Sequence, residues 1–267
     1  GSRAASSHTG ALASSDVAVD ALFRKAGIVR CYGRQDLLTV ASIFQSQELK
    51  GKNIAIITHA GGPAVMLTDA LSKAGLNVPK IDSVKAAPLK EQLYNGSSVA
   101  NPIDFLATGT AEQLGKIIDA CNNDFDEIDA MVVIFGTPGL VRIFDVYRLL
   151  DEKMKTTKKP IYPVLPAVVT AREELEEFLS KNHVNFPDEV VFGSALGRVA
   201  HTPMPDTDEV SLEGVDQAAI RKVIESNPDG YLAPDQIQIL LDSCGVPRAG
   251  EAVVKTADDA AEAAKKL

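Results

Sequence analysis

Two kinds of apolar spacing alternate along the middle of this chain. NIAIIT (53–58), AMVVIF (130–135) and PIYPVL (160–165) are apolar at successive positions, the mark of strands enclosed on both faces. Between and after them, apolar residues recur at helical spacing, which predicts helices over 63–74, near 141–154 and in AREELEEFLSKN (171–182). Enclosed strands separated by helices predict an α/β fold, an open, doubly wound parallel sheet covered on both sides.

The flanks read differently. Val19, Leu22, Phe23 and Ala26 share one face of a first helix, with Ser15 placed to cap its start and Gly27 at its exit. IVRCY (28–32) reads as a short strand. Asp36 is placed to cap a second helix with Leu37, Val40, Ala41 and Phe44 on one face, and the polar run QELKGKN sets a boundary near Gly51. After Thr202, the acidic run PMPDTDEVSLEG lacks periodicity and reads as a linker to two short helices. The last stretch predicts a helix, a short strand and a helix with Ala260, Ala263, Ala264 and Leu267 aligned. The expected division is 1–50, 51–201, 202–230 and 231–267. Its first and last pieces read as parts of larger domains, because the chain opens in a loop and stops inside a helix.

Composition narrows the function. With 267 residues, 45% of them hydrophobic, the chain can bury a large core. Its 27 basic residues are scattered among 36 acidic ones, a net charge of -9 that argues against nucleic acid or an anionic membrane as the main partner. Cys31, Cys121 and Cys244 lie far apart without CxxC spacing, so neither a metal site nor a disulfide framework is expected. No apolar run approaches the roughly 20 residues of a membrane span, and no leader pattern opens the chain. A cytoplasmic, soluble protein is the expectation.

Three loops combine small residues with a following helix: SSHTGALASSD, THAGGPAVM and IFGTPGLVR. Free N–H groups and the positive dipole end at a helix start suit an anion, and the last two loops follow strands, where doubly wound sheets place their ligands. Each alone is equally a strand-to-helix turn that uses glycine for its backbone angles. His8 has no acid at triad spacing and no second metal-ligand residue nearby. A neutral imidazole beside anion-holding amides can attack a phosphoryl group and carry it; a surface loop histidine is the plainer reading.

The segment SHTGALASSDVAVDALFRKAGIVRCYGRQDLLTVASIF resembles the phosphohistidine loop and following helix of the NDP-forming (ADP-forming) acyl-CoA synthetases, relatives of succinyl-CoA synthetase. NIAIITHAGGPAVMLTDALSKAGL, NPIDFLATGTAEQL and AMVVIFGTPGL resemble successive pieces of the family's flavodoxin-like ligase domain. LLDSCGVPRAGEAVVKTADDAAEAAKKL resembles the opening of its ATP-grasp domain. The resemblance implies an acid-thiol ligase working through a relay: a nucleoside triphosphate phosphorylates the histidine, the phosphate passes to a carboxylate, and CoA displaces it. It implies His8 as the phosphohistidine, with Gly10 in its loop. Gly136, Thr137 and Gly139 would stand at the start of a phosphate-receiving helix, and Gly61 and Gly62 in the neighbouring turn. CoA, ATP/ADP and Mg2+ are the implied cofactors, and the CoA-binding and ATP-grasp domains the implied partners, with a small-molecule acyl substrate and self-association left open; the segment alone is expected to be inactive. Where relatives usually carry Asn, this chain has His59, either a second site group or an ordinary loop histidine; His183 and His201 receive no role. The competing reading is a non-catalytic regulatory or assembly module of a synthetase-like protein fused to an acetyltransferase, in which the histidine would be expected to be lost. An unrelated nucleotide-binding α/β protein would need a GxGxxG or GxxxxGK[ST] motif, which the sequence lacks.

Overall fold

A computed structural model describes residues 15–137, 142–208, 212–227 and 229–266. The chain divides into two compact units, Gly1–Asp206 and Thr207–Leu267.

Four strands of the first unit, β1 (Ile54–Thr58), β2 (Ile103–Asp104), β3 (Ala130–Ile134) and β4 (Ile161–Val164), form one parallel sheet in the order β2-β1-β3-β4. Ile54 lies opposite Ala130 and Thr58 opposite Ile134, so β1 and β3 end level at their carboxyl termini. Both are buried along their whole length, and alternate side chains feed opposite cores. Ala55, Ile57, Met131 and Val133 pack with α4 (Ser83–Lys90), α5 (Ala111–Asn123), α6 (Phe144–Thr156) and α7 (Arg172–Leu179). Ile54, Ile56, Val132 and Ile134 pack with α2 (Arg34–Ile43), α3 (Gly61–Lys73) and α8 (Glu189–His201). The unbroken apolar runs thus predicted the doubly wound sheet correctly, because each strand is hidden twice.

Small residues set the α3–α8 crossing. A Cβ added to Gly193 would come within 3.0 Å of the Ala70 Cβ, and one added to Gly197 would overlap Ala74. Asparagine side chains finish both sheet edges. β2 pairs with only Ile57 and Thr58 of β1, and beyond it the Asn101 amide takes the strand's place, accepting from Ile56 N–H at 2.9 Å and donating to Ile54 C=O at 3.0 Å. On the far side, Asn185 accepts from Leu165 N–H and donates to its C=O.

Several local expectations are corrected. IVRCY is not a strand: residues 28–32 have no ladder partner among the described residues, and an extended segment without one is not a sheet. α2 begins at Arg34, so Asp36 sits in its first turn, where it accepts from Tyr32 N–H and pairs with Arg198. Its buried face is Thr39, Val40 and Ile43, leaving Leu37 and Phe44 exposed. Ser15 stands at the N-cap of α1 (Asp16–Lys25) without a side-chain cap bond. The helix expected near 141–154 starts at Phe144, and that expected over 63–74 starts at Gly61.

The second unit contains α9 (Gln217–Glu225), α10 (Pro234–Ser243) and α11 (Ala257–Lys266). Asp216 caps α9 through Ala219 N–H and donates its own N–H to the Ser243 C=O. The strand expected between α10 and α11 is absent, with residues 246–254 irregular. Among the described residues of this unit, Val223 alone is buried.

Candidate active site at the carboxyl edge of the sheet

From β1 the chain crosses to β2 on one side and then to β3 on the other. Such a reversal opens a crevice between the carboxyl ends of β1 and β3, where loops run to opposite faces. The β1 exit is THAGGP. Thr58 is fully buried, and its hydroxyl lies 2.9 Å from the Ala60 C=O and 3.0 Å from the Ala60 N–H, which folds the chain directly into α3.

The start of α3 is chemically bare. No side chain caps it and no acid stands in its first turn, whereas Asp82 caps α4, Thr110 and Gln113 form a capping box on α5, and Asp188 caps α8. Among the described helices α3 alone lacks both devices. Gly61 and Gly62 are exposed, so their N–H groups and the helix dipole face solvent with no internal anion on the helix itself. A Cβ on Gly62 would meet nothing within 4 Å.

Three aromatic rings floor the crevice across adjacent strand ends. His59 stacks on Phe135 with centroids 4.3 Å apart, and Phe135 stacks on Phe105 at 6.1 Å. Both phenylalanines are buried. Burial pushes the His59 imidazole below its ordinary pKa, outweighing the Gly136 backbone and the Asp104 carboxylate, which pull the other way. Its Nδ1 is enclosed without a hydrogen-bond partner. Asp104, at the end of β2, accepts the Leu106 N–H on Oδ1 at 2.9 Å. Its Oδ2 stands 3.5 Å from the place a Cβ on Gly61 would occupy, beside the first turn of α3.

The β3 exit departs from expectation. Gly136 and Thr137 are not in a described helix, and the next described helix, α6, begins at Phe144 and carries Asp145 in its first turn. They lie in irregular chain at the strand end, with the Thr137 hydroxyl 3.1 Å from that of Thr170. Arg142 anchors the far side of this connection through Glu173 at 3.1 Å and the buried Glu174 at 3.2 Å. At Gly136 a Cβ would sit 3.6 Å from Pro166 Cγ, so packing leaves room for one. His8, Gly10 and Gly139 lie outside the described residues.

Of the remaining histidines, His183 pairs with the buried Asp151 at 2.7 Å and stacks on Phe178, while His201 contacts the Gly197 C=O at 2.8 Å. Both serve packing. Asp104, Phe105 and Phe135 were not singled out by residue pattern; an acid closing the short apolar piece PID was the available sign for Asp104. Among the described residues no three His, Cys, Asp or Glu side chains gather as a metal site, and no helix is long and apolar enough to cross a membrane.

The profile of the succinyl-CoA ligase like flavodoxin domain matches residues 1–44. The 4-hydroxybutyrate–CoA ligase [ADP-forming] of Nitrosopumilus maritimus is 26% identical over 275 residues, covering 100% of this chain and 39% of the relative. The acetate–CoA ligase [ADP-forming] II subunit alpha of Pyrococcus furiosus is 32% identical over 188 residues, 69% of this chain and 41% of the relative. The chain thus spans about two fifths of the length of these relatives. A dinucleotide forming acetyl-coenzyme A synthetase 1 of Ca. Korarchaeum cryptofilum, solved in complex with phosphate and ADP, shares the fold with a TM-score of 0.67 at 21% identity, over 75% of this chain and 44% of that one. The sheet order, the ordered motifs and these relatives agree in likening the chain to the NDP-forming (ADP-forming) acyl-CoA synthetases.

Proposed function

We propose that the chain is the part of an ADP-forming acyl-CoA synthetase that carries the phosphohistidine and holds the travelling phosphate. The whole enzyme would interconvert acyl-CoA, ADP and phosphate with carboxylic acid, CoA and ATP. The observation that carries this reading is the bare first turn of α3, opening at the sheet's reversal point. A helix start left without a cap or acid offers two glycine amides and its dipole to an oxyanion, and the neighbouring His59 is held neutral by burial. Such a site lowers the energy of a phosphate oxyanion as it forms or leaves, and needs no group to reorganise.

In the proposed relay, His8 attacks the phosphorus of an acyl phosphate; its nitrogen gains the N–P bond while the acyl C–O–P link breaks at phosphorus and releases the carboxylate. Transfer from His8 to ADP reverses the roles and regenerates the neutral imidazole. Gly61 and Gly62 supply oxyanion contacts, and Gly136 and Thr137 line the crevice opposite. The nucleotide, CoA and Mg2+ would be bound by the CoA-binding and ATP-grasp partners. The relatives are named as ligases, and nothing favours a non-catalytic assembly module.

The test uses the full-length protein with ATP labelled on its γ-phosphate. Acid-labile, base-stable label is expected on wild type and none on His8→Asn. Undiminished label in that variant removes His8 from the relay.

A further inference from the structure

We propose that the first unit holds a second ligand site, for a small, uncharged and mostly apolar molecule whose hydrogen-bonding group meets the Tyr162 hydroxyl. The site is a cavity of about 420 Å³ at the amino edge of the sheet, away from the crevice at the carboxyl edge. Tyr162 near the start of β4, Val199 near the end of α8, Ile43 at the end of α2 and the segments 46–49 and 202–205 line it. None of the candidate phosphate groups belongs to its wall.

Tyr162 marks the cavity as more than a packing gap. It is 1% exposed, with its ring packed on Phe186 and Phe192 at centroid distances of 6.3 and 5.3 Å. Burial raises its pKa, and no hydrogen-bonding group acts on it. Tyr147, also buried, donates its hydroxyl proton to the Phe135 C=O at 3.3 Å, as buried tyrosines usually do to some partner. Among the described residues the Tyr162 hydroxyl has no such partner. The Ser46 hydroxyl, on a residue lining the same cavity, is unpartnered and sealed, whereas that of Tyr162 is not sealed from solvent. A deeply buried side chain thus keeps its one polar atom open at the cavity wall.

The rest of the wall selects what meets that hydroxyl. Ile43, Leu49, Val199 and Pro205 are apolar, and the lining contains no lysine, arginine or histidine. Glu48 is its one charged side chain, so an anion would enter beside a carboxylate with no cation to balance it. A neutral carbonyl or hydroxyl group suits a phenol, which both donates and accepts, and an apolar body suits the walls. Water can serve the hydroxyl, but a ligand that also covers the apolar surface gains by releasing the rest. The volume falls within the roughly 300–1,000 Å³ of small-molecule sites.

The experiment follows the methionine methyl groups of the 267-residue chain by carbon NMR, with acetophenone, a neutral ketone, and benzoate, an anion of similar size, as the titrants. Met204 lines the cavity, while Met66, Met131 and Met154 stand elsewhere and serve as references. Acetophenone is expected to shift the Met204 methyl saturably, to leave the other three in place, and to bind at least about tenfold more tightly than benzoate. Tyr162→Phe keeps the ring and removes the hydroxyl. It should weaken acetophenone by about tenfold, the scale of one hydrogen bond, with a melting temperature within about 2 °C of wild type because no bond inside the protein is lost. No saturable Met204 shift, benzoate bound as tightly as acetophenone, or undiminished affinity in Tyr162→Phe would each overturn the proposal. So would a fall in melting temperature beyond about 2 °C in that variant, which would mean that the chain itself partners the hydroxyl. None of these readings depends on whether His8 carries phosphate.

Discussion

The exits of β1 and β3 carry the same kind of sequence, a few small residues after an apolar strand, yet they end differently. After β1, the Thr58 hydroxyl turns the chain at once and α3 begins at Gly61, so its bare amides stand in the crevice. After β3, α6 begins at Phe144 and meets an acid of its own, Asp145. Small residues after a strand therefore do not by themselves define an anion site. Whether the next described helix carries an acid in its own first turn separates the two exits, α6 with Asp145 and α3 with none, although Asp104 stands beside α3 from β2.

The largest way to break this comparison is to remove what both exits share. Phe135 belongs to the β3 exit but floors the β1 side through His59, and it is 2% exposed. Phe135→Ala should cost about 3–5 kcal/mol in urea unfolding, while Phe44→Ala, at a side chain 63% exposed, should stay within about 0.5 kcal/mol. Equal losses would mean that the aromatic floor is not part of the core.

Next in size is a direct contrast between the exits. Gly62→Val places a branched side chain over the amides of α3 in otherwise open space, and should lower phosphate affinity by about tenfold or more with the melting temperature within about 2 °C of wild type. Gly136→Val, in irregular chain well ahead of the next described helix start at Phe144, should change affinity by only about threefold. The reverse order would move the phosphate to the β3 exit.

A smaller effect is linked to pH. Burial lowers the His59 pKa in the folded chain, so below about 6.5 the unfolded chain takes up a proton that the folded one resists. Stability therefore falls with acidification through that range, and the loss levels off once the folded ring is protonated. Urea titrations at pH 7.5 and 5.5 should show a smaller difference for His59→Asn than for wild type. Smallest of all, Thr170→Val breaks the exposed hydroxyl pair with Thr137 and should shift stability by less than about 0.5 kcal/mol and leave phosphate affinity unchanged.

The sheet was readable because β1, β3 and β4 are buried at every position and almost wholly apolar, a consequence of cover on both faces that leaves little room for other readings. IVRCY was misread because apolar residues can only propose a strand, while a neighbour has to accept its hydrogen bonds. Leu37 and Phe44 fit a helical stripe, but the face of α2 that meets the sheet is set by tertiary packing, which chose Thr39, Val40 and Ile43. At the site, glycines announce themselves through their freedom. Asp104 and Phe135 do not, since their importance comes from which strand ends become neighbours, a property of topology rather than of spacing.

The asparagine amides at the two margins of the sheet bear on how the protein can assemble. Open strand margins invite pairing with another chain. Here Asn101 saturates β1 where β2 is too short to reach, and Asn185, with the Phe186 N–H given to Pro163 C=O, occupies the outer side of β4. Pro163 has no amide to offer on that margin. Among the described residues these margins of β1 and β4 are held by the chain's own groups, which a strand from another molecule would have to displace to pair there.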